Sequence, residues 1–253
     1  MRKPLAPPAK KAREEGRHLL ITFEDRPSDS PLIERVWRSH SKRAGTFHSM
    51  AASNWVMVVT RLAGRTFLTV RGPETRATSA DCPADGEWIG VYFKLGTFMP
   101  RLPNCILRDR NDVTLPEASS RSFWLNGSAW EYPSFDNIET FVTRLVKKGL
   151  IDTDPHVQAV LHGQPRRLSQ RTEQRHFLRA TGMTQATIRQ IERARHAANL
   201  LRNGSPIAAV AQDAGYFDQA HLTRSLKHFV GQTPSQIIRG EEQLSLLYNT
   251  EEM

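Results

Sequence analysis

The sequence predicts an α+β chain with a strand-rich N-terminal part followed by an all-α C-terminal part. Three observations predict it. Short runs of β-branched and aromatic residues, cut by Gly and Pro, fill residues 18 to about 132. Near residue 134 the apolar spacing changes from strand-like to helical. From residue 155 to 240 the pattern stays helical, and most of the chain's net positive charge collects there.

Residues 1–17 hold six Lys/Arg against two Glu, with Pro and Ala between them and no apolar stretch. They are expected to form a flexible basic arm and not a secretory leader. A β-rich regulatory, effector-binding or dimerisation domain is expected over 18–151. Its clearest strands are Trp55–Leu62, Arg65–Arg71 and Glu87–Phe93, separated by Ala63-Gly64, Gly72-Pro73 and Pro83–Gly86. The two-residue connection Ala63-Gly64 has the form of a tight hairpin. Many short strands with frequent turns point to a small barrel or sandwich. Phe135, Ile138, Phe141, Val142, Leu145 and Val146 then fall on one stripe of a helix, with Ser134 or Asp136 expected to cap its start and Gly149 to end it. That stripe is expected to pack on its own domain in preference to a second copy.

Asp152–Pro155 is a linker and a helix start. Residues 155–240 carry 12 Lys/Arg against four acids, and the tail 241–253 is acidic with four Glu. A positive module beside a near-neutral one suits a polyanion partner. No apolar run approaches the length of a membrane span, and Cys82 and Cys105 are the only cysteines. No membrane partner, disulfide framework, cofactor or metal is expected, and a cytoplasmic, nucleoid-associated location fits. His40 and His48 lack ligand spacing. No phosphate-binding Gly loop or nucleophile elbow occurs, so the chain is not read as an enzyme.

The segment from Ser205 to Gly231 carries the function. Ser205 is expected as an N-cap with Pro206 in the first turn, Ile207, Val210 and Ala211 as an apolar face, and Gly215 as a left-handed terminator. Asp218 is expected to cap a second helix that buries Leu222, Leu226 and Phe229. Gln219, Ala220, His221, Thr223, Arg224 and Lys227 are left on other faces. Two short helices joined by a Gly-containing turn form a helix-turn-helix, whose second helix enters the major groove of DNA. Gln suits adenine, Arg suits guanine, Ala and Thr suit a thymine methyl, and Lys227 is placed for phosphate. The plain alternative is a solvated polar helix face.

Gly215-Tyr-Phe-Asp-Gln-Ala-His-Leu-Thr-Arg-Ser-Leu-Lys227 followed by Gly231-Gln-Thr-Pro-Ser235 resembles the C-terminal signature of the AraC/XylS family of transcription regulators. Leu168–Phe177 resembles the family's first recognition helix, and Ile188–Leu201 its long central helix. The resemblance implies a double helix-turn-helix domain over 155–240, with each unit reading one of two successive major grooves. It implies Arg171, Gln174 and Arg175 as further base-facing residues, Ser169 as a cap, Thr172 near the DNA backbone, and Phe177 and Leu168 as core. The segment before the first recognition helix departs from the pattern: Pro155–Gly163 is helical, and Gln164-Pro-Arg-Arg167 interrupts it. The first unit is therefore expected to be abbreviated.

By the same resemblance, double-stranded DNA and RNA polymerase are the expected partners. The N-terminal domain, often a cupin-like barrel in the family, is expected to bind a small effector or form a homodimer. Trp88, Phe93, Trp124 and Trp130 are candidates to line a pocket, although aromatics in a small β domain are more often core. The alternative function is a DNA-modifying or repair enzyme targeted by the helix-turn-helix, which needs an activated cysteine; neither Cys82 nor Cys105 sits in a motif that activates it. A nonspecific architectural binder fits poorly with the mixed chemistry of the recognition helix.

Overall fold

The computed structural model describes residues 20–109, 113–161 and 169–240. The basic arm, the acidic tail, the break at Gln164–Arg167 and Leu168 lie outside these described residues. In chain order the strand-rich part contains β1 (Ile21–Pro27), β2 (Ile33–Ser41), β3 (Gly45–Ser49), β4 (Val56–Leu62), β5 (Arg65–Arg71), β6 (Thr78–Cys82), β7 (Glu87–Phe93) and β8 (Thr97–Phe98). A short helix α1 (Asn104–Leu107) precedes β9 (Val113–Thr114), β10 (Glu117–Ser119), β11 (Ser122–Leu125) and β12 (Ser128–Glu131). Helix α2 (Ile138–Lys147), strand β13 (Asp152–Thr153) and helix α3 (Pro155–Leu161) lead to α4 (Gln170–Thr181), α5 (Gln185–Arg202), α6 (Ile207–Asp213), α7 (Gln219–Phe229) and α8 (Pro234–Arg239).

The main sheet runs β1-β2-β7-β4-β5-β9, with β1 and β9 at its edges. Strands β4 and β5 form the expected tight hairpin, with Leu62 opposite Arg65. Ala63 and Gly64 both take positive φ there, as the twist of a two-residue hairpin requires. The longest strand, β2, pairs with both β1 and β7 and was not singled out by its composition. β10, β11 and β12 form a separate meander, and β3 pairs with β6.

One core lies between the main sheet and α2. It contains Val36, Met57, Val59, Leu68, Val91 and Phe93 from the sheet, and Ile138, Phe141, Val142 and Leu145 from the helix. Trp55 stacks on Phe93 at 3.8 Å with an interplanar angle of 5°. Its indole N–H donates to the Thr97 carbonyl at 2.7 Å, so a large aromatic is buried without an unsatisfied donor. Phe93 is therefore core, as are Ile138, Phe141, Val142 and Leu145 of α2, which face their own domain, whereas Val146, expected on the same stripe, is exposed.

The start of α2 differs from expectation. The helix begins at Ile138 with Asn137 at the N-cap, and no side chain caps it. Asn137 Oδ1 instead accepts from the Ser134 N–H at 2.8 Å, which closes a turn ahead of the helix. Phe135 belongs to that turn. It is buried beneath the guanidinium groups of Arg26 and Arg38, 5.0 and 4.7 Å from its ring centre. Arg26 also pairs with Glu139, and this pins the first turn of α2 to β1. Gly149 follows the helix with positive φ, as expected.

The second core is helical. Ile188, Ile191, Ala194, Ala197, Ala198 and Leu201 of α5 face Val210, Ala211, Leu222, Leu226 and Phe229 of the two following helices. Alanines on α5 keep the helices close. Met50 and Ala51 from the strand-rich part join this core, so the two parts share packed surface. No helix among the described residues is long and apolar enough to cross a membrane.

Candidate nucleic-acid interface

The second helix-turn-helix is α6, the turn at 214–218 and α7. Its first helix starts one residue later than expected. Pro206 is the N-cap, with extended backbone at φ −61° and ψ 141°, and no side chain caps the helix. Ser205 sits outside, where its N–H donates to the Leu200 carbonyl at 3.0 Å and closes the end of α5. Gly215 leaves the helix at φ +69°, a conformation costly for any residue with a Cβ. The Tyr216 N–H then donates to the Ala211 carbonyl at 2.8 Å. Asp218 caps α7, its carboxylate accepting from the His221 N–H at 2.6 Å.

Helix α7 divides cleanly. Leu222, Ser225, Leu226 and Phe229 are buried, whereas Gln219, Ala220, Arg224 and Lys227 are exposed. His221 and Thr223 are half-buried. The His221 ring meets Tyr216 edge to face at 5.2 Å. The Thr223 hydroxyl donates to the Gln219 carbonyl at 2.8 Å, which leaves its methyl group and an acceptor lone pair but no donor to offer outward. Tyr216 is itself fixed, its hydroxyl 2.9 Å from Ser225 Oγ.

Two residues of this unit escaped sequence reasoning. Phe217 is 93% exposed beside Gln219 and Ala220. The Tyr216-Phe217 pair carried the signal, because the turn needs only one aromatic in its core. Arg193 of α5 lies over the Tyr216 ring, 4.6 Å from its centre, and donates to the Gly215 carbonyl at 3.4 Å. A cation from the central helix thus braces the turn of the second unit.

In the first unit, Ser169 caps α4, accepting from the Thr172 N–H at 3.3 Å, and its hydroxyl lies 2.9 Å from that of Thr172. Arg171, Gln174 and Arg175 are exposed within one turn of each other, Thr172 is half-buried, and Phe177 is buried. Helix α3 buries Val157 and abuts α4. The contact is polar as well as apolar: Asp154 Oδ2 accepts from His176 Nδ1 at 2.9 Å, and Asp154 Oδ1 accepts from the His156 N–H at 2.9 Å. Burial works against the charge of Asp154, yet the bonds from His176 and from the His156 and Val157 N–H groups hold its carboxyl below the usual range.

Both helices are held by their C-terminal ends. The Asn104 amide donates to the Ala180 carbonyl at 2.6 Å, and Arg108 donates to the Gly182 carbonyl at 3.2 Å. On the other unit, the Ala51 N–H donates to the Phe229 carbonyl and the Ala77 N–H to the His228 carbonyl, each at 2.8 Å. Carbonyls at a helix end otherwise lack intrahelical partners, and here the strand-rich part supplies them. The opposite, N-terminal ends carry the exposed polar side chains.

Among the described residues no group of three or more His, Cys, Asp or Glu is placed to hold a metal. His40 and His48 lie on different strands, β2 and β3. Cys82 is buried, and burial pushes its thiol up, away from the activated thiolate that alkyl transfer needs. Trp88 is half-buried against the main sheet, Trp124 is exposed, and Trp130 lines a cleft beside α2.

Residues 167–240 match the family described as a helix-turn-helix domain, a domain of the AraC type. No curated protein matches the chain in sequence. Among solved structures the chain is similar to ToxT from Vibrio cholerae, at 9% identity and a TM-score of 0.39, over 86% of this chain and 98% of that one.

Proposed function

We propose that this chain, a DNA-binding transcription regulator by virtue of its AraC-type helix-turn-helix domain, reads specific DNA sequences and responds to a small effector. The observation that carries the reading is the division of α7: a buried apolar face, a capped N-terminus, and Gln219, Ala220 and Arg224 exposed on its first two turns. That is the end a recognition helix presents to base edges. Arg224 reads guanine, Gln219 adenine, and Ala220 with the Thr223 methyl meets thymine. His221, half-buried against Tyr216, adds one ring nitrogen, and Phe217 is exposed in the turn before the helix. Lys227, a turn further on, meets phosphate. On α4, Arg171, Gln174 and Arg175 form the matching strip, Ser169 sets the helix start and Thr172 lies near the backbone. Homodimerisation and contact with RNA polymerase belong to the same reading. Burial of Cys82 counts against the alternative of a repair enzyme.

The test is selection of bound fragments from a random DNA pool by the purified protein at physiological salt. Two short sequence blocks about one helical turn apart, 10–10.5 base pairs, are the expected result. A single block would restrict base reading to α7. No enrichment would overturn sequence-specific binding.

A further inference from the structure

The hairpin of β11 and β12 carries an unusual density of aromatics, and the fold gives it a partner. Between this hairpin and α2 lies a cleft of about 670 Å³. That volume falls within the range of small-molecule sites, about 300–1,000 Å³. Its aromatic wall is Trp130, Tyr132 and Phe141, with Trp130 and Phe141 meeting edge to face at 6.1 Å. Among the described residues, the Trp130 indole N–H and the Tyr132 hydroxyl are buried without a hydrogen-bond partner. Natural proteins rarely leave such groups unsatisfied, and here two occur in one wall. Burial, and then Glu117, hold the Tyr132 phenol above its usual range, so the hydroxyl keeps its proton to donate.

The other wall is cationic. Arg144 and Lys148 lie one helical turn apart and both line the cleft. Neither is in an ion pair among the described residues. The lining also contains one carboxylate, Glu131, which leaves the cleft with a single net positive charge. An aromatic wall and one surplus cation together describe a ligand with a flat apolar body and one negative charge. We propose that the cleft between α2 and the β11–β12 hairpin binds a small planar aromatic carboxylate, its ring against Trp130 and Phe141 and its carboxylate between Arg144 and Lys148.

This rests on the effector-responsive reading and gives the effector a place and a chemical class. Leu150, also in the lining, is followed within four residues by Asp154, whose carboxylate holds His176 of α4. A short route, four residues of chain and one hydrogen bond, therefore joins the cleft to a recognition helix.

The experiment is calorimetric titration of the full chain with 2-naphthoate and, as the neutral match, 2-naphthamide. It is run on the wild type and on an Arg144→Ala/Lys148→Ala variant. Both side chains are exposed, so thermal unfolding of the variant should be unchanged. The expected result is saturable naphthoate binding at one site, weakened at least tenfold in the variant, with naphthamide at least tenfold weaker on the wild type. Absence of saturable binding, equal binding of acid and amide, or equal binding by the variant would each overturn the proposal. DNA binding is measured on the same preparations. Ligand binding lost with DNA binding retained condemns this site alone, whereas DNA binding lost with ligand retained condemns the regulator reading.

Discussion

The two helix-turn-helix units do the same geometric job with different support. Helix α7 is held largely by its own domain: Leu222, Leu226 and Phe229 enter a core built on α5, and Arg193 braces the turn before it. Helix α4 contributes Phe177 and Ala180 to that core, and relies more on polar bonds from outside it. Asn104 and Arg108 hold its C-terminal end, and Asp154 holds its middle through His176. A helix secured by apolar burial keeps its place while its own core is intact. One secured by a few long-range hydrogen bonds depends on the elements that supply them. The difference teaches that the second unit adds an apolar core of its own to its backbone clamp on the strand-rich part, whereas the first depends more on the polar bonds that reach it from outside.

The comparison is broken most severely at the core of the second unit. Leu226→Ala removes a fully buried side chain and should cost about 2–5 kcal/mol of stability, read by thermal denaturation. If unfolding is unchanged, α7 is not the self-supported member. The corresponding blow to the first unit is Gly182→Ala. Gly182 has φ +74°, and a Cβ there would lie 2.7 Å from the Asn104 carbonyl oxygen. A loss of about 1–3 kcal/mol is expected, and the α4 sequence block should vanish from selected DNA while the α7 block persists. Loss of both blocks together would mean the units are one rigid body.

Recognition itself is sharpened by Arg224→Ala, expected to cost about 1–3 kcal/mol and to relax preference at one base pair. Equal weakening on every sequence would reassign Arg224 to phosphate. The smallest effect belongs to Asp154→Ala, about 0.5–2 kcal/mol through the lost cap and the His176 bond. Its pH dependence has a definite sign. The Asp154 carboxyl is held low in the fold, so its contribution is complete above the unfolded value of about 3.9 and disappears as pH falls through the lower folded value. The melting curves of wild type and Asp154→Ala should converge only below about pH 4; a gap that closes nearer neutrality would assign the effect to another group.

What could be read from the sequence follows the same division. The Ala63-Gly64 hairpin, the Gly215 turn, the Asp218 cap and the buried face of α7 are each set by residues a few positions apart. Local rules suffice for these. The caps of α2 and α6 lie one to three residues later than expected, at Asn137 and Pro206, a difference of the size that helix ends usually show. The anchoring of α4 was invisible, since Asn104 and Ala180 are 76 residues apart and no local pattern encodes their meeting. Trp130 was legible as a pocket candidate, but the cleft it lines exists only with α2 opposite the β11–β12 hairpin.

Fixing both recognition helices at their far ends has a mechanical consequence. Helix α4 has 12 residues, so about 18 Å of rod extends from its clamp at Ala180 and Gly182 to its free tip. A tilt of about 5° at the clamp swings that tip by roughly 1.5 Å, from the same rise per residue. Half the length of a hydrogen bond is enough to spoil a paired contact with a base. The strand-rich part thus holds the short end of two levers, and small adjustments in its packing arrive enlarged where the helices carry their arginines and glutamines.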